Sequence, residues 1–166
     1  MAAVAPSASP SSFHPISADR LAAANINVRS GLATDYLNHF TEVIMLLELV
    51  PDMPDMIEDA RAWQPKTYAE HFRASHFAAR DLAIEAYECA PEAYRVPFDG
   101  IVDELHARIA IGVDEIAAAN ADPAALASSV AAVVAEIQAL IQRASDLIHG
   151  NIAALDQSAV DALFSN

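Results

Sequence analysis

The chain has 166 residues, of which 54% are hydrophobic, and a formal net charge of −14. This length suits one domain, and the hydrophobic fraction is too high for a disordered chain. The acidic surplus excludes partners that require a basic protein face, namely nucleic acid and anionic membrane surfaces, and it favours a basic or neutral protein surface.

The composition predicts the fold class. Alanine is abundant, whereas glycine and aromatic residues are few, so we expect an all-α fold. The arrangement predicted is an up-down helical bundle of about four main helices with short extra helices. The first residues carry no basic start, and the longest apolar run, at 43–50, is too short to cross a bilayer, so we expect a cytoplasmic protein with no membrane span.

The N-terminal part is predicted to contain a leader and one short helix. Residues 1–16 are rich in Ala, Ser and Pro, which indicates a mobile leader. The bundle is expected over 17–150. Ser17 is suited to cap a short helix, and residues 25–31 read as a loop.

Two helices are predicted next. The apolar stripe of residues 34–50 indicates the first long helix, which Pro51 ends. A short helix is expected at 57–63, before Pro65.

The middle of the chain has a weaker pattern. Residues 67–90 are predicted to be helical, with a break at Ser75 or His76. Pro91 and Pro97 indicate a connector, and the next long helix is expected to begin near Pro97.

The last two long helices are the most clearly delimited. Asp122 and Pro123 have the residue types of a helix cap and a first helical position, and Gly150 suits the left-handed residue after a helix that runs to His149. The short connection at 119–122 predicts an antiparallel hairpin. The alanine-rich face of the last helix leaves a homo-oligomer open.

The C-terminal segment, at 151–166, is predicted to be a short amphipathic helix. A helix of fewer than three turns is unstable alone, so its apolar face must dock either on its own bundle or on another protein. Residues 156–164, Asp-Gln-Ser-Ala-Val-Asp-Ala-Leu-Phe, resemble the CheY-binding helical peptide of flagellar switch proteins and the tail of the chemotaxis phosphatase CheZ. The resemblance implies a response regulator as partner. The partner-binding residues that it implies are Gln157, Val160, Asp161, Leu163 and Phe164.

The Asp-x-x-x-Gln pair of the CheZ phosphatase helix does not occur in the predicted helices, so the resemblance implies binding and not dephosphorylation. Glycine-rich nucleotide motifs and nucleophile elbows are also absent from the sequence. We therefore expect a non-enzymatic interaction or adaptor protein of bacterial signalling or motility.

A metal-binding bundle, di-iron-like or zinc, is one alternative. The pairs Asp103/His106 and Asp146/His149 are spaced three apart, so each pair shares a helix face. Carboxylate-bridged metal sites use Glu-x-x-His, whereas these pairs begin with Asp. The candidate ligands of a transition metal are His39, Glu42, Asp103 and His106.

A small-ligand-binding bundle is the other alternative. Aromatic and histidine residues are concentrated in the middle of the chain, where they could line a pocket or simply pack in the core. The candidate pocket residues are Trp63, Tyr68, His71, Phe72 and His76.

Overall fold

The structure, a computed structural model, describes residues 16–153. Almost all of the predicted leader at 1–16, and residues 154–166 of the predicted C-terminal helix, lie outside this range. Within 16–153 the chain folds as helices and turns, and its β-structure is limited to one isolated bridge between Ile26 and Ala33. The predicted all-α fold is confirmed.

Seven α-helices follow one another along the described chain. A 3-10 turn at Thr34–Leu37 leads directly into the second of them. The helices are α1 (Ala18–Ala23), α2 (Asn38–Leu49), α3 (Met56–Ala62), α4 (Tyr68–Ala74), α5 (Arg80–Glu88), α6 (Glu92–Ala119) and α7 (Pro123–Ile148).

Helices α6 and α7 form the predicted antiparallel hairpin, which is the most extensive helix pair of the fold. The Asp122 carboxylate accepts a hydrogen bond from the Ala124 N–H (3.0 Å), and Pro123 occupies the first turn of α7. The two helices approach closely where Gly112 of α6 lies against Val133 of α7. Their facing apolar side chains form the centre of the core.

The other helices pack around this hairpin. Helix α2 contacts α7 and α3, α3 contacts α6, and α4 packs on α5. The predicted break in the middle of the chain is confirmed, because α4 ends at Ser75, whose backbone is extended. The Ser75 hydroxyl donates to the Phe72 carbonyl (2.9 Å) and accepts from the Phe77 N–H (3.3 Å), so it replaces the helical hydrogen bonds at the break.

The predicted start of the next helix near Pro97 is wrong. Helix α6 begins at Glu92, directly after Pro91, and it contains Pro97 in its second turn. A proline at this position removes only the hydrogen bond to the Ala93 carbonyl, and Ala93 is exposed, so water can bind that oxygen. Packing of the buried Phe98 and of the residues that follow holds this part of the helix in place.

The loop before the 3-10 turn contacts the end of α7. Asn25 and Gly31 both adopt positive φ, which these two residue types tolerate. The hydroxyl of Ser30 is buried and donates to the Ile148 carbonyl at the end of α7 (2.6 Å). Gly150 has φ +88°, so the predicted left-handed helix end is confirmed.

Helix α7 has an unusual surface. Among the described helices it is the one that is long and apolar enough to cross a membrane by length and composition, a test that core helices of soluble proteins also pass. The sequence analysis did not identify α7 as such a helix, because it considered only unbroken apolar runs. The many alanines of α7 raise its mean hydropathy without forming an unbroken run of large apolar side chains. Only 28% of its most apolar stretch is buried.

Candidate functional site

An aromatic cluster lies where the 3-10 turn and α2 meet α4 and α6. Its centre is Tyr36, whose side chain is fully buried. The Tyr36 ring lies 5.3 Å from Phe40, 5.2 Å from Tyr68, 6.0 Å from Phe98 and 5.5 Å from His71, measured between ring centroids. Edge and tilted contacts of this kind stabilise a core beyond the burial of area alone.

Local sequence explains how these rings come together. Tyr36, His39 and Phe40 are three and four residues apart, so the 3-10 turn and the first turn of α2 place them on one face. Tyr68 and Phe72 are four apart on α4, whose start is fixed by a capping box between the side chains and backbone of Thr67 and Glu70.

His39 is buried, with 1% of its surface exposed. Its Nε2 accepts a hydrogen bond from the Lys66 N–H (2.9 Å), so in the neutral ring the proton resides on Nδ1. Nδ1 faces the Glu42 carboxylate at 3.9 Å, and the ring stacks on Trp63 with centroids 4.5 Å apart. Burial, together with the charges of His71, Lys66 and His106, lowers the His39 pKa to about 4.

The backbone of Lys66 is held from both sides. Its N–H donates to His39, and its carbonyl accepts a hydrogen bond from the Tyr36 hydroxyl (2.7 Å). These bonds anchor the connection between α3 and α4 to the 3-10 turn and to α2. The polar atoms of Tyr36 and His39 therefore serve a structural connection.

The four candidate metal ligands are not gathered into one site. Trp63 packs against both His39 and His106, at 4.5 and 6.3 Å between centroids. Glu42 and Asp103 are both exposed, and the Nε2 lone pair of His39 is used by a backbone N–H. Across residues 16–153, no three His, Cys, Asp or Glu side chains are placed to hold one metal ion.

The second predicted pair, Asp146 and His149, lies at the end of α7. His149 is exposed, and its Nδ1 lies 2.7 Å from the Ser145 carbonyl one turn earlier in the helix. His149 therefore interacts with the carbonyl end of its own helix, which is a common structural role for a histidine at a helix C-terminus.

The five candidate pocket residues are only partly brought together. Tyr68 and Phe72 are buried neighbours at 4.7 Å, and His71 lies beside them, with Nε2 3.3 Å from the Asp35 carboxylate. Trp63 joins the cluster through its stack on His39 and does not contact α4 in this way. His76 is exposed in the break after α4.

A cleft that sequence reasoning missed opens beside the cluster. It has a volume of about 190 Å³ and lies between α4, α5 and α6. Tyr68 and Tyr87 stack beside it with centroids 4.6 Å apart and planes 16° apart, and the Tyr87 hydroxyl donates to the Asp99 carboxylate (2.7 Å). The lining residues are Tyr36, Thr67, Tyr68, Tyr87, Phe98, Asp99, Val102, Asp103 and His106.

The electrostatics of this cleft are those of an acidic site. Burial and the Asp99 carboxylate raise the Tyr87 pKa to about 12. Burial lowers the His106 pKa, although Asp103 opposes the shift, so His106 is neutral at pH 7. The sequence signal was available, since Asp99, Asp103 and His106 recur at helical spacing on α6.

Two further depressions border the same region. One of about 270 Å³ lies on the other side of His106 and includes Trp63 and Asp114 in its lining. The largest, of about 570 Å³, is lined mainly by loop residues near Asn27 and by His149. Its lining includes Asp35, whose carboxylate lies 3.3 Å from His71 Nε2, so it reaches the edge of the aromatic cluster.

The five residues of the proposed docking segment, Gln157, Val160, Asp161, Leu163 and Phe164, lie outside the described residues. The chain matches no family model, no curated protein and no solved structure.

Proposed function

We propose that this chain is a non-enzymatic helical interaction protein of bacterial signalling or motility, acting in the cytoplasm. In this proposal residues 151–166 dock on a response regulator. The resemblance of residues 156–164 to CheY-binding peptides supports the choice of partner. His39 supports a structural role for the buried imidazole, because its Nε2 lone pair accepts the Lys66 backbone N–H.

The observation that carries the proposal is the outer face of α7. Between residues 123 and 142 the only charged side chain is Glu136, which pairs with Arg108 of α6. A free surface helix usually carries a charged outer face, so an uncharged one on an acidic protein indicates a protein contact. The exposed residues of this face are Ala124, Ala127, Ala131, Ala132, Ala135 and Ala139, together with the uncharged polar residues Ser128, Gln138 and Gln142.

Charge defines the class of partner surface. The chain carries 23 acidic and 9 basic residues, so its field attracts a basic or neutral protein. Small alanine side chains let a partner helix approach closely. A second copy of this chain would meet the same net negative charge, which favours a different protein over self-association.

The test measures binding of a purified CheY-type response regulator, phosphorylated and unphosphorylated, by isothermal titration calorimetry. Deleting residues 151–166 is expected to abolish binding, and the double variant Leu163→Ala/Phe164→Ala is expected to weaken it at least tenfold, because the apolar face of a docked helix supplies most of its affinity. Unchanged binding after the deletion would show that residues 151–166 do not bind the regulator.

The outer face of α7 is tested separately. The double variant Ala131→Glu/Ala135→Glu places two charges on this face and is expected to weaken recovery of partners from a lysate and binding of the regulator. Ala107→Glu, at an exposed position of α6, is the matched control. If both changes have the same small effect, the outer face of α7 is not a contact surface.

Of the alternatives, the geometry favours a small-ligand-binding bundle over a metal-binding one. The 190 Å³ cleft brings the half-buried Tyr87 together with the carboxylates of Asp99 and Asp103, and the candidate pocket residue Tyr68 also lines it. Among the four candidate metal ligands, in contrast, no three are placed to hold one ion, and Trp63 packs against both histidine rings.

A further inference from the structure

We infer that an exposed apolar stripe at the end of α2 binds a basic amphipathic helix of a partner protein. This α2 stripe consists of Met45, Leu49 and Met53, whose side chains are 60%, 40% and 47% exposed. Single exposed apolar residues are normal on a protein surface, whereas several in a row indicate a contact. None of the three belongs to α7 or to the C-terminal segment, so the inference is independent of the docking function proposed above.

The three side chains follow one another at helical spacing. Met45 and Leu49 are four residues apart on α2, so they are neighbours on its surface. The Met53 N–H donates to the Leu49 carbonyl (2.8 Å), and this bond between residues four apart places Met53 one turn beyond Leu49. At 1.5 Å per residue the stripe is about 12 Å long, which matches about two turns of a partner helix.

The residue types and the fold class favour a helix as the partner element. Methionine is flexible and polarizable, so it adapts to the side chains of a bound helix. Within residues 16–153 the only β-structure is the isolated bridge between Ile26 and Ala33, so an extended peptide would find no sheet edge to pair with. A helix satisfies its own backbone and presents apolar side chains four residues apart, as the stripe does.

Carboxylates border the α2 stripe and set the charge of the partner. Glu42 and Glu48 lie three residues on either side of Met45, and Asp52 lies three residues after Leu49, so each is a neighbour of the stripe. All three are exposed, and in the described part of the chain neither Glu48 nor Asp52 forms an ion pair. Lys or Arg residues that flank the apolar face of a partner helix would supply the positive charge.

The sequence around the stripe does not offset these carboxylates. Residues 30–60 contain no Lys or Arg. Arg61, the next basic residue along the chain, pairs with Glu58 (2.7 Å). The negative potential of this stretch therefore attracts a cationic partner and repels an anionic one. The acidic residues of the stretch are Asp35, Glu42, Glu48, Asp52, Asp55, Glu58 and Asp59.

Charge also separates this occupant from the others that an apolar stripe could take. Residues 1–15 and 154–166 contain no Lys or Arg, so neither terminal segment of this chain complements the carboxylates. A second copy in a symmetric dimer would place the same carboxylates opposite one another. An anionic membrane surface would be repelled. A different protein that presents a basic helix is the occupant that the charges favour.

The experiment measures binding of a synthetic peptide to the full chain by fluorescence anisotropy. The peptide has about 14 residues, all Leu or Lys, with Leu at helical spacing. The reference peptide has the same composition in an order that gives no apolar face. At about 150 mM salt, which screens exposed charges, the amphipathic peptide is expected to bind saturably below about 50 μM and the reference at least about tenfold more weakly. Equal binding of the two would overturn the inference, because it would reflect charge alone.

Apolar variants assign the binding to the α2 stripe. Met45→Gln/Leu49→Gln replaces two apolar side chains by polar ones and is expected to weaken binding of the amphipathic peptide at least about tenfold. The matched control is Val96→Gln/Ile111→Gln, which makes the same change at two exposed apolar positions of α6 and should leave binding unchanged. If both double variants weaken binding equally, the assignment to the stripe fails.

Charge variants test the bordering carboxylates. Glu48→Gln/Asp52→Asn is expected to weaken binding about fivefold, because it removes two charges beside the stripe. Glu85→Gln/Glu88→Gln removes two exposed carboxylates from α5 and is expected to have less than half of this effect in free energy. Equal effects of the two changes would mean that the overall charge of the protein attracts the peptide, and the proposed complementarity would be wrong.

Sedimentation velocity of the chain without peptide tests the remaining occupant. A dimer that Met45→Gln/Leu49→Gln dissociates would show that a second copy covers the stripe, and it would overturn the inference; a monomer is expected. Far-ultraviolet circular dichroism of each variant confirms that the helices are retained. Loss of peptide binding with retained binding of the response regulator would separate the α2 stripe from the proposed docking function.

Discussion

Replacing His39 by glutamine tests whether the fold holds a neutral imidazole. His39 is 1% exposed, and its pKa is lowered from 6.5 to about 4, chiefly because burial penalises the charged ring. The glutamine side chain is long enough to place its oxygen near the position of Nε2, where it can accept the Lys66 N–H. The variant therefore removes the titration and keeps an acceptor.

The magnitude follows from proton linkage. Between pH 6.5 and 4 the unfolded chain binds a proton at residue 39, whereas the folded chain does not. Lowering the pH in this range therefore favours unfolding. At 1.36 kcal/mol per pKa unit, the free energy of unfolding falls by about 3 kcal/mol between pH 6.5 and 4, with about 2 kcal/mol lost by pH 5. The contribution is complete above pH 6.5, and this group adds no further change below pH 4.

The assay is equilibrium urea unfolding of the wild type and His39→Gln at several values between about pH 4.5 and 7.5. The variant loses the stack on Trp63, so its stability at pH 7 is expected to be lower by about 1 kcal/mol. Its decline toward pH 5 should be shallower than that of the wild type by about 2 kcal/mol. His76→Gln is the control, since His76 is exposed.

Parallel pH profiles for the wild type and His39→Gln would refute the reasoning, because they would mean that residue 39 takes up the same number of protons in the folded and unfolded chains. An NMR titration of the His39 imidazole tests the lowered pKa directly. A His39 signal that titrates near pH 6.5 in the folded protein contradicts a buried neutral ring.

Three substitutions probe packing elsewhere, each by urea unfolding. Gly112→Ala would bring its new methyl group closer to Val133 Cγ1 than two carbon atoms can approach, so Val133 must shift and the change should destabilise by about 1–3 kcal/mol. Gly100→Ala, whose new methyl group meets open space, should stabilise by about 0.5–1 kcal/mol. Equal effects of the two changes would contradict close approach of α6 and α7. Ser30→Ala leaves the Ile148 carbonyl without its donor and should destabilise by about 1–3 kcal/mol, a loss that an unchanged midpoint would disprove.

The fold was predictable wherever local chemistry determines the structure. Asp122, Pro123 and Gly150 delimit α7 because capping and left-handed geometry depend on single residues. Pro97 misled the prediction because the preference of proline for helix starts is local, whereas the helix around it is held by the packing of Phe98. Tertiary packing decides such cases.

The site was less predictable because it joins several elements. His39 was predicted from the sequence only as a candidate metal ligand, and the position of the Lys66 backbone shows that the ring is buried and hydrogen-bonded. The contact of Tyr87 with Asp99 depends on how α5 packs against α6, which no spacing within one helix reveals. Asp103 and His106 were identified in the sequence, but their neighbours across the cleft were not.

The hydrogen bond from Ser30 to Ile148 joins two residues that are 118 positions apart in the chain. During synthesis the loop that contains Ser30 is made early, yet its partner carbonyl exists only after nearly all of the bundle has been translated. Contacts between such distant residues close late, since chain entropy opposes them until the intervening helices have formed. Ordering of the loop should therefore report completion of the whole bundle and not of its first helices.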